Sequence, residues 1–257
     1  MNYKRLLIPL LVLFSLSCKE PVVVFVDKIE GKRIPISDSL DNDSAIEAYI
    51  EPYRTHINKD LDSVLAYAVD TYSPRPEEGE LETAIGNLMA DVAFIQANPV
   101  FKKRTGKTVD MVLLNHGGIR APISKGNISA RVAYSVMPFD NSLVVVDLKG
   151  DQVNELVEYL AKSQRANPIA KLKLKLDEEN EVVSALINGE PIDPEKNYFV
   201  ATYDYLYNGG GNMTFFKTND SLYELDYKMR NAMIDYFKKV DTIKPTKDGR
   251  FIKTLEQ

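Results

Sequence analysis

The feature that most constrains the fold is a mostly apolar run that ends in a glycine turn. Residues 109–114 read VDMVLL and are followed by NHGGIR at residues 115–120. An apolar run of this length predicts a buried strand. The two glycines let the backbone adopt positive φ and approach a ligand closely, Asn115 offers amide donors, and Arg120 carries a planar fork suited to a carboxylate or phosphate. The pattern therefore indicates an anion site, and an ordinary strand-end turn with a solvated arginine is the alternative.

A second glycine loop lies far along the chain. Residues 198–203 predict a strand, which leads into DYLYNGGGN at residues 204–212. Two glycine-rich loops that each follow a strand can converge on one ligand.

Helical and strand patterns interleave along the rest of the chain. Apolar residues at helical spacing predict helices over residues 46–61, 81–95, 153–160 and 221–240. Alternating or apolar runs predict strands over residues 64–71, 143–148, 169–176 and 182–187 and around Phe251. There is no strict βαβ rhythm, so we expect an α/β fold with a mixed β-sheet and packed helices rather than a doubly wound sheet.

Individual residues predict where these helices begin, bend and end. Asn42 or Asp43 is placed to cap the first helix, and Asp151 to cap the third. Pro52 can kink the first helix, and Pro99 is expected to end the second.

The first residues have the pattern of an export signal. Lys4 and Arg5 precede an apolar run over residues 6–16, which is too short to span a bilayer permanently. Cys18, the only cysteine, follows that run and looks like the lipidation site of a bacterial lipoprotein. An ordinary secretory peptide with an incidental cysteine is the alternative.

These patterns set the expected organisation and location. We expect a lipoprotein signal peptide over residues 1–17, a tether ending in an edge strand over 18–42, a helix and strand over 43–74, and the main domain over 75–257. Such a chain is anchored by its lipid to a membrane of the cell envelope, on the periplasmic or surface face. Its net charge of −5 disfavours nucleic acid as a partner, because the overall field repels polyanions.

Residues 129–150, which read SARVAYSVMPFDNSLVVVDLKG, carry a family resemblance together with the NHGGIR turn. Both resemble the C-terminal substrate-binding domain of the 5′-nucleotidase family, which includes UDP-sugar hydrolases and cyclic phosphodiesterases. The family pattern runs NGGGIR, a short helix ending in LPFxN, a strand, a helix and a GGDG loop, and its order matches over residues 81–252. Residues 83–91 resemble the family's LGNLxADA helix, in which Gly86 and Asn87 would lie near the phosphate loop.

The resemblance implies a nucleotide site. In the family, the residues that match Asn115 and Arg120 hold the phosphate, and those that match Phe139 and Tyr205 form the two aromatic walls of a base pocket. Alternatively, Phe139 plugs the core and Tyr205 anchors a strand end. The expected substrate-binding residues are Asn115, Gly117, Gly118, Arg120, Phe139, Tyr205, Gly211 and Asn212.

Three positions depart from the family pattern. The GGDG aspartate, which takes the ribose hydroxyls, aligns with Gly211, and Asn212 is the nearest substitute. A further family arginine aligns with Gly79, and Arg75 is a candidate replacement. His116 stands where the family has glycine, and we interpret it as a turn residue.

The resemblance also defines what this chain lacks. The full enzymes carry a metallophosphatase domain whose two metal ions activate water, held by several histidines together with aspartates and an asparagine. This sequence has two histidines, His56 and His116, in separate segments without a DxH, NHE or HxH pattern. We expect no catalytic residue, metal site or cofactor in this chain, with divalent metals on a partner chain. The acidic residues 77, 78, 80 and 82 are interpreted as a solvated helix start rather than a cation site.

The sequence leads to one preferred function and two alternatives. The preferred function is a nucleotide-recognition component of a 5′-nucleotidase-type phosphoester hydrolase, which binds a nucleoside monophosphate or a related nucleotide and relies on a separate metallophosphatase subunit. The first alternative is a non-enzymatic nucleotide- or anion-binding envelope lipoprotein, and the second is a scaffold whose pocket has drifted.

Overall fold

The computed structural model describes residues 28–254, so the expected signal peptide and Cys18 lie outside the described residues. The described residues divide into two units, one that ends at Tyr49 and one that begins at Ile50. Residues 28–43 contain no helix or strand, so the expected edge strand is not found in the described part of the tether. No helix of the described region is long and apolar enough to cross a membrane.

The described elements are six helices and twelve strands, apart from short 3-10 turns. The helices are α1 Ser44–Asp62, α2 Ala84–Thr105, α3 Ala130–Val136, α4 Gly150–Ser163, α5 Asp204–Tyr207 and α6 Met229–Phe237. The strands are β1 Val64–Ala68, β2 Met111–Leu113, β3 Gly126–Ser129, β4 Ser142–Lys149, β5 Ile169–Ala170, β6 Leu172–Leu176, β7 Val182–Ile187, β8 Glu190–Pro191, β9 Asn197–Tyr203, β10 Ser221–Lys228, β11 Thr242–Ile243 and β12 Phe251–Lys253.

The central sheet has five strands in the order β10-β4-β9-β2-β5. Strands β2 and β9 run parallel, and the other neighbouring pairs run antiparallel. This confirms the predicted mixed sheet. Helices α2 and α4 pack on it through apolar side chains, and the buried strands β4 and β9 lie at its centre.

Two smaller sheets join remote parts of the chain. One has the order β11-β1-β3, and the other has the order β12-β6-β7-β8. In each of them a short C-terminal strand runs parallel to an earlier one, β11 beside β1 and β12 beside β6. The predicted strand around Phe251 is therefore confirmed. A hairpin joins β7 to β8 through Asn188-Gly189, where both residues have positive φ.

Helix α1 agrees with the predicted helix in position but not in packing. The Asp43 carboxylate accepts the backbone N–H groups of Ala45 and Ile46 at 2.9 and 3.1 Å, which confirms it as the cap. Pro52 lies within the helix without ending it, and no side chain of α1 is buried.

The prediction that Pro99 ends the second helix is wrong. Helix α2 continues to Thr105 and ends at Gly106, which has φ +76° and donates its N–H to the carbonyl of Lys102. A proline removes one helical hydrogen bond, which tertiary packing can offset. Phe101, two residues later, is fully buried with its ring 5.3 Å from that of Phe199.

The predicted helix over residues 221–240 is also wrong in its first half. Residues 221–228 form strand β10 along the edge of β4, and only Met229–Phe237 is helical. The carbonyls and N–H groups of the β4 edge provide a ladder that overrides local helical spacing. Asp226, at φ +52°, lies in the irregular stretch of that ladder.

The predicted cap of the third helix is corrected as well. Helix α4 begins at Gly150, with Lys149 as the cap residue and Asp151 already inside the first turn. Gln152 closes the helix start by accepting the Lys149 backbone N–H at 2.8 Å.

Candidate functional site

The two glycine loops meet at one edge of the central sheet. Strands β2 and β9 are parallel neighbours, so their carboxyl ends lie side by side and deliver both loops to the same edge. A cavity of about 380 Å³ opens there. Its lining residues are Asn115, Gly117, Gly118, Arg120, Phe139, Asn141, Tyr159, Arg165, Asn167, Tyr205 and Gly211.

The NHGGIR turn is held by backbone hydrogen bonds. Residues His116–Gly118 form a 3-10 turn in which Gly118 N–H donates to the Asn115 carbonyl at 3.0 Å. Neither Gly117 nor Gly118 has positive φ, so the expected conformational reason for the two glycines does not hold. Close packing replaces it at Gly118, where a Cβ would lie 3.2 Å from Asn115 Oδ1.

Arg120 lies at the mouth of the cavity with a fixed backbone and an exposed side chain. Its N–H donates to the Val136 carbonyl at the end of α3, at 2.8 Å. Its guanidinium carbon lies 5.9 Å from the centroid of the Phe139 ring. The geometry therefore places the cationic group beside an aromatic wall.

The turn that carries Phe139 is anchored from behind. Arg230, on α6, donates to the Phe139 carbonyl at 3.2 Å and to the Asp140 carboxylate at 2.6 Å. The side-chain hydrogen bond from Arg230 holds the pKa of Asp140 below its usual range. Phe139 is 39% exposed, which argues against the alternative that it plugs the core.

Tyr205 lies on the second glycine loop, and its ring packs directly against Gly210. A Cβ at Gly210 would lie 2.4 Å from the Tyr205 ring, so a residue with a side chain at position 210 would displace the ring. Tyr205 is 50% exposed, which is more than a strand-end anchor requires. Gly211 follows at φ +66°, and its carbonyl accepts the Tyr159 hydroxyl at 2.8 Å.

Tyr159, on α4, lines the cavity near that loop. Burial raises the pKa of its hydroxyl, and the positive charge of Arg165 partly opposes the shift. The hydroxyl therefore stays protonated and donates to the loop, and Arg165 lies near enough to act on it electrostatically.

Two asparagines have an unpaired side-chain atom here, Asn115 within the NHGGIR turn and Asn167 beside it. Asn167 is 4% exposed, and its Oδ1 accepts the His116 backbone N–H at 2.9 Å. Its Nδ2 is buried without a hydrogen-bond partner among the described residues, as is Asn115 Oδ1. His116 Nδ1 is also buried and unpaired within the described region, although His116 does not line the cavity.

The charges around the cavity favour an anion. Arg120 and Arg165 both line it, and no aspartate or glutamate stands among its described lining residues. Guanidinium groups bind phosphate or carboxylate oxygens in pairs, and amide N–H groups add neutral donors.

The structure brings together seven of the eight residues expected from the sequence. Asn212, at φ +60°, instead lines a separate shallow groove with Phe215. Arg75, the candidate substitute for the missing arginine, lies in another groove beside Lys247. Within the described residues, no group of acidic residues, histidines and cysteines is arranged to hold a metal ion.

The acidic segment that precedes α2 is not solvated throughout, contrary to its interpretation from the sequence. Glu82 is buried rather than solvated, and its carboxylate accepts Asn87 Nδ2 at 3.0 Å and Gly249 N–H at 2.9 Å. Asn87 Nδ2 also donates to the Thr246 carbonyl at 3.0 Å, so Asn87 points to the C-terminal loop rather than to the NHGGIR turn. Gly86 does not line the cavity either, and a Cβ there would lie 2.8 Å from Thr83 Oγ1 and 3.6 Å from Pro168.

Sequence reasoning missed Asn141, Tyr159, Arg165 and Asn167, which also line the cavity. Asn141 was visible as the last residue of the LPFxN match. Arg165 and Asn167 lie in the turn between α4 and β5, where a polar stretch before Pro168 was the only signal.

Comparison with known proteins gives the family context of this geometry. The family model described as "5'-nucleotidase, C-terminal domain" matches residues 64–218, more than half of the chain. An apyrase of Tabanus yao is 31% identical over 162 residues, which cover 55% of this chain and 29% of that protein. The trifunctional nucleotide phosphoesterase protein YfkN of Bacillus subtilis is 26% identical over 247 residues, which cover 90% of this chain and 16% of that protein.

A solved structure shows the same fold. The crystal structure of a 5'-nucleotidase precursor from Thermus thermophilus matches with a TM-score of 0.67 at 26% identity, over 81% of this chain and 42% of that one. The chain thus spans less than half the length of each of these three proteins.

Proposed function

The chain belongs to the 5′-nucleotidase C-terminal domain family, and on that premise we propose that it binds a nucleoside monophosphate or a related nucleotide in the cavity between the two glycine loops. The observation that carries the proposal is the convergence of Arg120, Phe139 and Tyr205 on one cavity of about 380 Å³. That volume falls within the range of small-molecule sites.

Each part of a nucleotide has a counterpart in the cavity. The phosphate binds at the NHGGIR turn, where Arg120 supplies charge and Asn115 an amide. The base stacks between Phe139 and Tyr205, whose partial exposure leaves ring surface for a ligand. Stacking of a base on an aromatic side chain contributes about 1–3 kcal/mol and tolerates any base.

Calorimetric titration with a nucleoside 5′-monophosphate and with the parent nucleoside tests this assignment. Arg120→Ala is expected to weaken monophosphate binding about tenfold or more, since hydrogen bonds to charged groups contribute about 1.5–3 kcal/mol. Phe139→Ala is expected to weaken both ligands. Arg75→Ala is the matched control, because it removes an exposed arginine that lines another groove. Equal affinities for wild type and both site variants would contradict the proposal.

We further propose that this domain is the recognition component of a 5′-nucleotidase-type phosphoester hydrolase and that a separate metallophosphatase chain, with divalent metal ions, supplies catalysis. The support for the division is the histidine content. The sequence contains two histidines in separate segments, fewer than a metal centre with several histidine ligands needs.

The division is tested by phosphate release. The purified chain with divalent metal is expected to bind nucleotide without turnover, and a metallophosphatase chain that co-purifies with it is expected to start phosphate release. Metal-dependent hydrolysis by this chain alone would refute the division. Nucleotide binding without any such partner would instead identify a non-enzymatic binding lipoprotein.

We also propose that Cys18 carries a lipid and anchors the chain to a membrane of the cell envelope. The support is the basic and apolar pattern before Cys18 in the sequence. Growth with a labelled fatty acid is expected to label the wild-type chain, and Cys18→Ser is expected to remain unlabelled and leave the membrane fraction. Labelling of the Cys18→Ser chain would contradict the assignment.

A further inference from the structure

The turn after α4 brings two hydrogen-bond donors to the cavity that the recognised motifs do not include. Helix α4 ends where Gln164 adopts φ +47°, and Asn167 N–H donates to the Arg165 carbonyl at 2.6 Å. Arg165 and Asn167 therefore reach the same cavity from one tight turn.

Asn167 shows most directly that this turn faces a ligand. Its Oδ1 is committed to the His116 backbone N–H at 2.9 Å, which ties the turn to the NHGGIR turn and sets the amide orientation. Its Nδ2 is left buried without a partner in the described part of the chain. A buried donor without a partner is costly and uncommon, and a ligand oxygen would satisfy it.

Arg165 adds a second positive charge to a cavity that Arg120 already makes cationic. The two arginines come from separate parts of the chain, Arg120 from the turn after β2 and Arg165 from the turn after α4. No carboxylate among the described lining residues neutralises either charge. An anion with a single charge leaves one of them unmatched.

We propose that Arg165 and Asn167, together with Arg120 and Asn115, form a clamp that selects a dianionic phosphate monoester over a singly charged phosphodiester. The inference rests on the proposed nucleotide-binding function and adds the charge state of the ligand to it. A phosphate monoester carries a charge of about −1.5 to −2 at neutral pH and offers three acceptor oxygens. Two arginine forks and the Asn167 N–H match those oxygens, whereas a cyclic phosphodiester carries one negative charge.

The experiment compares a nucleoside 5′-monophosphate, the corresponding cyclic phosphodiester and the nucleoside in calorimetric titrations. Wild type is expected to bind the monophosphate at least about tenfold more tightly than the cyclic compound. Arg165→Ala is expected to lower monophosphate affinity about tenfold, to remove most of that preference and to leave nucleoside affinity within about twofold.

Asn167→Asp tests the second donor of the clamp, and Lys162→Ala controls for the loss of a positive charge. Asn167→Asp keeps an acceptor for the His116 N–H but places a negative oxygen where Nδ2 stood, so monophosphate affinity is expected to fall about tenfold or more. Lys162→Ala removes a positive charge from the same end of α4, yet Lys162 pairs with Glu158 and lines a different groove. Its binding is expected to equal that of wild type.

The outcomes separate this inference from the proposed function. If Arg120→Ala loses monophosphate affinity but Arg165→Ala and Asn167→Asp do not, the clamp is wrong and the nucleotide site stands. If wild type binds no nucleotide, the proposed function fails, and phosphorus NMR with inorganic phosphate decides the clamp. Phosphate binding that depends on Arg165 would support it, and no binding would overturn it.

Discussion

Gly210→Ala tests whether the cavity needs the Tyr205 ring in its observed position. The added Cβ would lie 2.4 Å from a ring carbon of Tyr205, whereas non-bonded carbons lie about 3.5–4.0 Å apart. The ring must therefore shift by about 1 Å or more. Gly210 does not have positive φ, so alanine can adopt its backbone conformation without strain.

The shift should affect binding much more than folding. Tyr205 is half exposed, so its ring can move toward solvent, and the free energy of unfolding is expected to stay within about 0.5 kcal/mol of wild type. Loss of one stacking wall removes about 1–3 kcal/mol, which weakens nucleotide binding about five- to 150-fold. Calorimetric titration and thermal unfolding of the same samples measure the two quantities.

Two further variants make the test specific. Tyr205→Ala is expected to show the same loss, and the double variant is expected to lose no more than Tyr205→Ala alone, because both changes remove one contact. Gly31→Ala is the control, since its Cβ would meet nothing within 4 Å. The reasoning is refuted if Gly210→Ala binds nucleotide like wild type, or if the losses of the two single variants add.

Three predictions concern stability. Arg250→Met is expected to lower the free energy of unfolding by about 2–3 kcal/mol in urea titrations, because the mostly buried guanidinium loses its hydrogen bonds to Asp91 and Asp248. An unchanged free energy of unfolding would show that these hydrogen bonds do not stabilise the fold. The hydrogen bond from Arg250 lowers the pKa of Asp248 below its unfolded value of 3.8, so its stabilisation is complete above pH 3.8 and is lost as the pH falls through the lower folded pKa. Acid titrations should accordingly show a shallower loss of stability for Arg250→Met than for wild type, and parallel curves would contradict this. Glu82→Ala is expected to lower the free energy of unfolding by about 2–3 kcal/mol, because it leaves the buried donors Asn87 Nδ2 and Gly249 N–H without their charged acceptor. Glu78→Ala, at an exposed position, is expected to leave the free energy of unfolding unchanged. Equal effects of the two substitutions would contradict a stabilising role of Glu82.

The fold was predictable where local signals and burial agree. Residues 143–148 are apolar because the strand is buried in the sheet, and the Asn188-Gly189 pair adopts the positive φ angles that its residue types favour. The family resemblance added the order of the elements, which periodicity alone did not supply.

The stretch over residues 221–240 shows where such reasoning stops. Leu222 and Leu225 are spaced like residues on one helix face, yet the first half of the stretch is a strand. The decisive factor is the open edge of β4, which comes from a segment more than seventy residues earlier. Local spacing carries no information about a ladder formed with so distant a partner.

The cavity residues also fall into two groups, those predicted from motifs and those that only the structure shows. Arg120, Phe139 and Tyr205 are predicted from their motif positions, and all three line one cavity. Arg165 and Asn167 lie in a turn without a motif, and the structure shows through the hydrogen bond between Asn167 and His116 that this turn adjoins the NHGGIR turn. Asn212 is a predicted site residue because it follows Gly211, but both residues have left-handed φ and Asn212 lines another groove.

The parallel pairing of β11 with β1 and of β12 with β6 determines when the domain can be completed during synthesis. Neither small sheet can be completed until residues 242–253 are synthesised, because β11 and β12 lie in that segment and each forms one edge strand. A chain that ends before residue 242 would leave one edge of β1 and one edge of β6 unpaired. Unpaired strand edges are sites at which aggregation starts. The twelve residues 242–253 therefore determine whether β1 and β6 are paired on these edges or left open.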